Sequence, residues 1–457
     1  MRHTLWPKLL VLLLLILSVP MASTEAAAQN GGEIQVIRAE VVNNYPDSIT
    51  FQVEFTSAHP IEKVNFYYKT RGSLSTQKQP VEAVESGTWT ASYTWDTSAI
   101  TIPPSTPILY SWEITDQAGN KIKTGEELAS YDDNRFDWQE LSAPGIILRW
   151  YDGGPEFGQA VFDVAVLALE QMKVQTEQDL EYPVVILLYA NFEDFSSWHF
   201  YVEDWVGGQA FPSLGLTTQI IPASTNPGWI QDVIPHEIAH LFFYQVINTD
   251  IYFWPAWLDE GLAQYYEFTP NDAAVENAAW AAREGELLPL VLISGSFGSD
   301  PQRVRLAYDE SYAVVVYILE MWGNEGLQKL ISNFGQGDGY REAVEKAFGQ
   351  TWEEFESGWI AWLGVDATPA SPPTLTPTYS FNAGGAEGAR EGEMDSTATA
   401  PPPTVGAERE NLGTIEAQPG EMPPSRGGPF PLVLMGIVVG GGVLLAAAGF
   451  VLMRTRR

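Results

Sequence analysis

The sequence predicts a multidomain fold in which an antiparallel β-sandwich is followed by an α+β domain, an unfolded linker and one transmembrane helix. Three observations carry this prediction. Apolar residues alternate with period two from about Ile34 to Glu140, and from Gly145 the pattern changes to mixed strand and helix periods. After Val365 the chain turns rich in Pro, Thr, Ser, Ala and Gly before a final charge-free apolar run.

At the N-terminus, Arg2 and Lys8 precede an apolar run from Leu9 to Val19 and then Ala26-Ala27-Ala28, the layout of a cleaved secretory signal over residues 1–28. The sandwich is expected over residues 31–142. Its strands read as Ile49, Phe51, Val53, Phe55; Trp89, Ala91, Tyr93, Trp95; and Ile108, Tyr110, Trp112, Ile114, and Asp116 to Asn120 forms a turn after the last of these. The strand spacing suits an immunoglobulin- or fibronectin-like arrangement, and the alternating aromatics read as core.

The second domain is expected over residues 145–365. It should contain a helix near Gly158 to Met172, a strand at Val184 to Tyr189, a strand around Leu216 to Ile221, and then mostly helices. Leu306 to Trp322 has helical period, Tyr340 to Phe348 ends at Gly349, and Thr351 with Glu354 forms a capping box for the last helix. Residues 366–431 contain too few large apolar side chains to fold and read as a linker or stalk. Leu432 to Met453 is 22 residues without a charge, long enough to cross a membrane, and the short tail 454–457 carries three arginines. Positive-inside logic leaves that tail in the cytoplasm, so the expected location is the cell membrane, single-pass, with the N-terminal domains outside. Gly436 and Gly440 form a small-xxx-small pair through which two such helices could form a homodimer.

The 457 residues carry 24 Lys and Arg against 58 Asp and Glu, a formal charge of -34. Such a chain repels phosphate backbones, so nucleic acid is excluded as a partner. There is no cysteine, which excludes disulfides, thiolate metal sites and cysteine nucleophiles. Any metal must be held by His, Asp or Glu.

The stretch Pro235-His236-Glu237-Ile238-Ala239-His240 meets that need. Positions four apart share a helix face, so His236 and His240 can direct ring nitrogens at one ion, with Glu237 beside them as general base. Zinc lowers the pKa of a water it holds toward about 7, which lets a carboxylate remove the proton and pass it to a leaving amine. The position six residues after His240 is Val246, which excludes a three-histidine site of the metzincin type. A carboxylate is then the natural third ligand, and Pro255-Ala256-Trp257-Leu258-Asp259-Glu260-Gly261 offers Glu260 on a helix opened by proline. Asp259 reads as a supporting or capping residue. His199 reads as structural.

His236-Glu237-Ile238-Ala239-His240 followed by Trp257-Leu258-Asp259-Glu260-Gly261-Leu262-Ala263-Gln264-Tyr265 resembles the motif pair of gluzincins, the zinc metallopeptidases of the peptidase MA-like superfamily related to aminopeptidase N and thermolysin. The resemblance spans roughly residues 145–365. It implies a gluzincin-type zincin domain holding one Zn2+ per chain on His236, His240 and Glu260, and a peptide or protein substrate. Tyr308-Asp309-Glu310-Ser311-Tyr312 is similar to the family's Tyr-Glu-Lys-Gly helix, which implies that Tyr308 stabilises the oxyanion, a role for which Tyr312 is the alternative donor. The family's aminopeptidases carry a Gly-x-Met-Glu-Asn segment whose acid grips the substrate amine. Gly207 to Phe211 stands in that region without an acid, so endopeptidase action is expected rather than aminopeptidase action. The interval from Glu260 to Tyr308 resembles that of compact members of the superfamily. The expected function is therefore a cell-surface zinc-dependent peptidase. The alternative is a catalytically inactive zinc-containing surface protein that binds or adheres through its sandwich.

Overall fold

The computed structural model describes residues 34–199, 202, 206–247 and 254–365. The expected signal segment, linker, transmembrane span and tail lie outside the described residues. Among the described residues no helix is long and apolar enough to cross a membrane.

Among the described residues, nine strands form the N-terminal part: β1 (Ile34–Asn44), β2 (Ser48–Ser57), β3 (Ile61–Thr70), β4 (Gln77–Val81), β5 (Ala83–Glu85), β6 (Trp89–Asp96), β7 (Thr106–Asp116), β8 (Lys121–Lys123) and β9 (Glu127–Tyr131). One antiparallel sheet has the order β1-β2-β6-β5, the other β4-β3-β7-β8 with β9 also on β7. Their inner faces meet through the side chains that the period-two pattern singles out. Ile49, Phe51, Val53 and Phe55 of β2 are fully buried, and the Phe51 and Phe66 rings lie 4.8 Å apart across the two sheets. The Asp116 carboxylate accepts the backbone N–H groups of Ala118 and Asn120, which fixes the turn expected there.

The chain continues through β10 (Gln139–Ala143), β11 (Ile146–Trp150), α1 (Pro155–Thr176), β12 (Val184–Tyr189), α2 (Phe192–Ser196), β13 (Gly208–Phe211) and β14 (Leu216–Ile220). These strands form a third sheet in the order β10-β11-β12-β14-β13, parallel at its centre and antiparallel at both edges. The period-two signal around Gln139 and Glu140 thus belongs to this sheet, because the tight Pro144-Gly145 connection pairs β10 with β11. Helices follow: α3 (Pro227–Ile247), α4 (Ala256–Tyr265), α5 (Asp272–Glu284), α6 (Pro301–Gly335, broken at Gly323), α7 (Tyr340–Phe348) and α8 (Trp352–Trp362).

Both faces of the third sheet are covered, which is why β12 reads as an unbroken apolar run. Val184, Ile186 and Leu188 face a core shared with Val161 and Leu169 of α1 and Ile234 and Ile238 of α3. Leu187 and Tyr189 face the other way, into a cluster that includes Phe51, Phe66 and Trp112 of the sandwich. Polar contacts reinforce that seam. Arg149 of β11 pairs with Asp132 at 2.7 Å, and the Tyr189 hydroxyl donates to Asp133 at 3.2 Å. The sandwich therefore forms a wall of the sheet that carries part of the candidate site.

The loop between α5 and α6 is tied down by acids on the helices behind it. Leu288 N–H donates to Glu310 of α6, and Leu290 N–H to Glu356 of α8. The Ser294 and Ile293 carbonyls of this loop in turn accept the first N–H groups of α4, which have no partner within that helix. Glu310 is fully buried, and among the described residues its second oxygen has no hydrogen-bond partner. Burial above all, with Asp309 and Glu356 adding to it against the Leu288 N–H, pushes this carboxyl up to about 8. The folded chain then holds a proton that the unfolded chain releases, so stability falls as pH rises from about 4.5 to about 8. Glu310→Gln, neutral at every pH, is expected to melt like the wild type at pH 5. At pH 8.5 it should be more stable by on the order of a few kcal/mol, as read by paired thermal melts.

Candidate metal centre

The candidate site is assembled by α3, α4 and α6 against the edge of the third sheet. Its geometry begins with a proline inside a helix. Pro235 lacks an N–H and leaves the Gln231 carbonyl, one turn earlier, without its helical partner. Phe268 N–H takes that carbonyl at 3.2 Å, and the neighbouring Thr269 N–H donates to Asp232 at 3.0 Å. The segment after α4 is thereby docked on α3, and Glu267 within it reaches His236.

His236 and His240 lie on one face of α3, with ring centroids 4.9 Å apart. Each ring is oriented through Nδ1, His236 by Glu267 at 2.8 Å and His240 by Asp259 at 3.0 Å. That leaves both Nε2 atoms pointing at a common point, where Glu260 Oε2 lies 3.7 Å from one and 3.8 Å from the other. All three residues are buried, and among the described residues these three atoms have no hydrogen-bond partner. One ligand atom from each residue lies within 4.8 Å of the others, a spacing that can hold a metal ion.

The electrostatics agree with the geometry. Burial opposes charging either imidazole, yet the carboxylates outweigh it: Glu260 and Glu267 hold His236 well above its ordinary value, and Asp259 with Glu260 raises His240. The cluster favours positive charge at its centre, which a divalent cation supplies without burying extra protons. Nitrogen and carboxylate donors in a two-plus-one set fit zinc and leave room for a further ligand.

Glu237 is buried on the same helix. Its pKa is raised, by burial first, against the opposing influence of both histidines and a hydrogen bond from the Thr217 hydroxyl at 3.2 Å. Tyr308 enters from α6. A Cβ at Gly261 would lie 2.3 Å from the Ser311 carbonyl, so only glycine lets α4 and α6 approach this closely. The Gln264 amide then anchors the Tyr308 carbonyl at 2.8 Å. Burial first, and then the Glu260, Glu237 and Asp259 carboxylates it faces, keep the Tyr308 phenol well above its ordinary range and hence protonated. Tyr312 is engaged elsewhere, accepting Asn271 N–H at the start of α5.

His199 lies on the other face of the sheet, its ring packed between Phe195 and Trp198 and its Nε2 2.8 Å from the Gln209 side chain. Sequence reasoning missed Glu267 and Thr217. Glu267 sits just past the end of α4, where a carboxylate reads as a solvated helix end. The Thr217-Thr218-Gln219 run inside a buried strand was the available signal for the second. Because Asp259 and Glu267 fix the ring orientations, Asp259→Asn and Glu267→Gln are each expected to weaken divalent-metal retention about 10–100-fold. Titration with a competing chelator would measure this, with circular dichroism verifying that the fold is kept.

The sequence model of the Peptidase MA superfamily matches residues 164–365, which contain all five candidate residues. No curated protein is significantly similar to the chain. Among solved structures, an aminopeptidase N family protein from Idiomarina loihiensis is 8% identical, with 69% of this chain and 72% of that one covered and a TM-score of 0.34. A purple acid phosphatase from yellow lupin (Lupinus luteus) seeds is 10% identical over 34% of this chain and 28% of that one, with a TM-score of 0.17. A Br derivative of BhCBM56 is 13% identical over 22% of this chain and 99% of that one, with a TM-score of 0.16. Residues 164–365 thus form a domain of the Peptidase MA superfamily.

Proposed function

We propose that the chain is a zinc-dependent endopeptidase displayed on the outer face of a cell membrane. The observation that carries the catalytic reading is the set of three buried potential ligand atoms on His236, His240 and Glu260, without a partner among the described residues, with Glu237 beside them. Buried polar atoms without partners are costly, and a bound cation relieves all three at once.

Zinc held there would act as a Lewis acid on the scissile carbonyl and acidify the attacking water. Glu237, buried and of raised proton affinity, accepts the proton of that water on its carboxylate and delivers it to the leaving amine. The Tyr308 hydroxyl, protonated and beside Glu260, donates a hydrogen bond to the charge that develops on the carbonyl oxygen. His236 and His240, locked through Nδ1, keep their Nε2 atoms aimed at that point. Endopeptidase action is supported by the absence of an acid in Gly207 to Phe211 and by the turning of the Gln209 side chain toward His199. The surface location rests on the signal-like segment 1–28 and the apolar span 432–453, with the domains between them outside the membrane.

The test uses the full-length chain and a mixed peptide library, with and without a chelator. Hydrolysis should be chelator-sensitive, and Glu237→Gln should retain the metal while turnover falls about 10²–10⁴-fold. Wild-type turnover in Glu237→Gln would defeat the mechanism, and cuts confined to the first residue of each peptide would defeat the endopeptidase reading.

A further inference from the structure

Strand β14 contains three consecutive polar residues, Thr217, Thr218 and Gln219, and all three are fully buried. Both faces of this sheet are covered by apolar side chains, so valine or leucine would fill the same space without a desolvation cost. The polar run therefore calls for a physical reason. By strand alternation Thr217 and Gln219 point to the α3 side, where Glu237 lies, while Thr218 points to the sandwich side.

The Gln219 amide donates to the Thr217 hydroxyl oxygen at 2.8 Å. That hydroxyl has a single proton and two acceptors within reach, the Glu237 carboxylate at 3.2 Å and the Gln209 carbonyl at 3.1 Å. Because Gln219 occupies the oxygen as a donor, the hydroxyl must give its own proton away. A charge-assisted bond is the stronger of the two, so it goes to the carboxylate. The space for this arrangement comes from the neighbouring strand. Gly208 of β13 lies opposite Gln219, and a Cβ there would stand 1.9 Å from the Gln219 side-chain oxygen and 2.4 Å from its nitrogen. Any side chain at position 208 would expel the amide.

We propose that Gln219 and Thr217 are positioning residues for Glu237, and that Gly208 is glycine in order to admit them. Gln219 sets the direction of the Thr217 hydroxyl, and the hydroxyl pins one carboxylate oxygen of Glu237 so that the other faces the reacting groups. The inference rests on the peptidase reading for its kinetic consequence only; the orientation of Glu237 is a property of the chain itself.

The experiment has a structural and a kinetic arm, both on the full-length chain. Crystal structures of Thr217→Val, Thr217→Ser and Gln219→Met are compared for the Glu237 rotamer. The Glu237 carboxylate is expected to leave its position or split between rotamers in Thr217→Val and Gln219→Met, and to stay in Thr217→Ser. In peptide hydrolysis, Thr217→Val should lower kcat roughly 10- to 100-fold with KM and metal content unchanged, Thr217→Ser should recover most of it, and Gln219→Met should add little on top of Thr217→Val. An unmoved Glu237 in both Thr217→Val and Gln219→Met overturns the proposal, as do equal losses of kcat in Thr217→Val and Thr217→Ser. Should Thr217→Val not fold, Gln219→Met against Thr217→Ser decides the same question. A wild-type chain that binds zinc but cleaves nothing would sink the peptidase reading, while the rotamer comparison would still decide the role of Thr217.

Discussion

Three potential ligand atoms, His236 Nε2, His240 Nε2 and Glu260 Oε2, converge out of contact with water and, among the described residues, without a hydrogen bond to any of them. Leaving polar atoms in that condition costs on the order of 1–3 kcal/mol each by the measure of protein mutants, so the surrounding structure must impose the arrangement, and a cation bound there would offset the cost. Much of the second domain can be understood as that imposition. Pro235 frees a carbonyl that draws the Glu267 segment onto α3, Gly261 lets α6 lie against α4, and the loop pinned by Glu310 and Glu356 supplies the carbonyls that start α4. Each is a local backbone event whose effect is to fix one of the side chains at the candidate metal centre.

The sheet adds a second constraint. Its centre is parallel and buried on both sides, by α1 and α3 on one face and by the sandwich on the other. A strand in that position has no polar face to spare, and Thr217, Thr218 and Gln219 are accordingly conspicuous in it. The sandwich serves the same end from behind, since Leu187, Tyr189 and Leu216 share one buried cluster with its core side chains. It is a structural wall of the third sheet, whatever else its outer surface does.

The parts of this molecule that were legible in the sequence are those governed by local rules. The helix Tyr340–Phe348 ends at Gly349 in the left-handed region, Thr351 and Glu354 form the capping box, and Val184–Tyr189 is the strand its apolar run foretold. The helical period ending at Trp322 stops where Gly323 breaks α6, although the helix begins five residues before Leu306 at Pro301, behind an Asp300 cap. His236 and His240 were legible because four residues along a helix fix their geometry, and Glu260 because the motif around it is specific. Glu267, Thr217 and Gly208 were not. Their partners lie 31, 20 and 11 residues away across different elements, and the pairing exists only after α3, β13 and β14 have packed.

Anomalous X-ray scattering at the zinc edge from crystals of the full-length chain would locate the metal. One zinc per chain is expected, about 2.0–2.2 Å from His236 Nε2, His240 Nε2 and a Glu260 oxygen, with no fourth protein ligand. Zinc held at other residues, a fourth protein ligand closing the site, or a zinc-saturated chain whose three ligand atoms remain empty would contradict it.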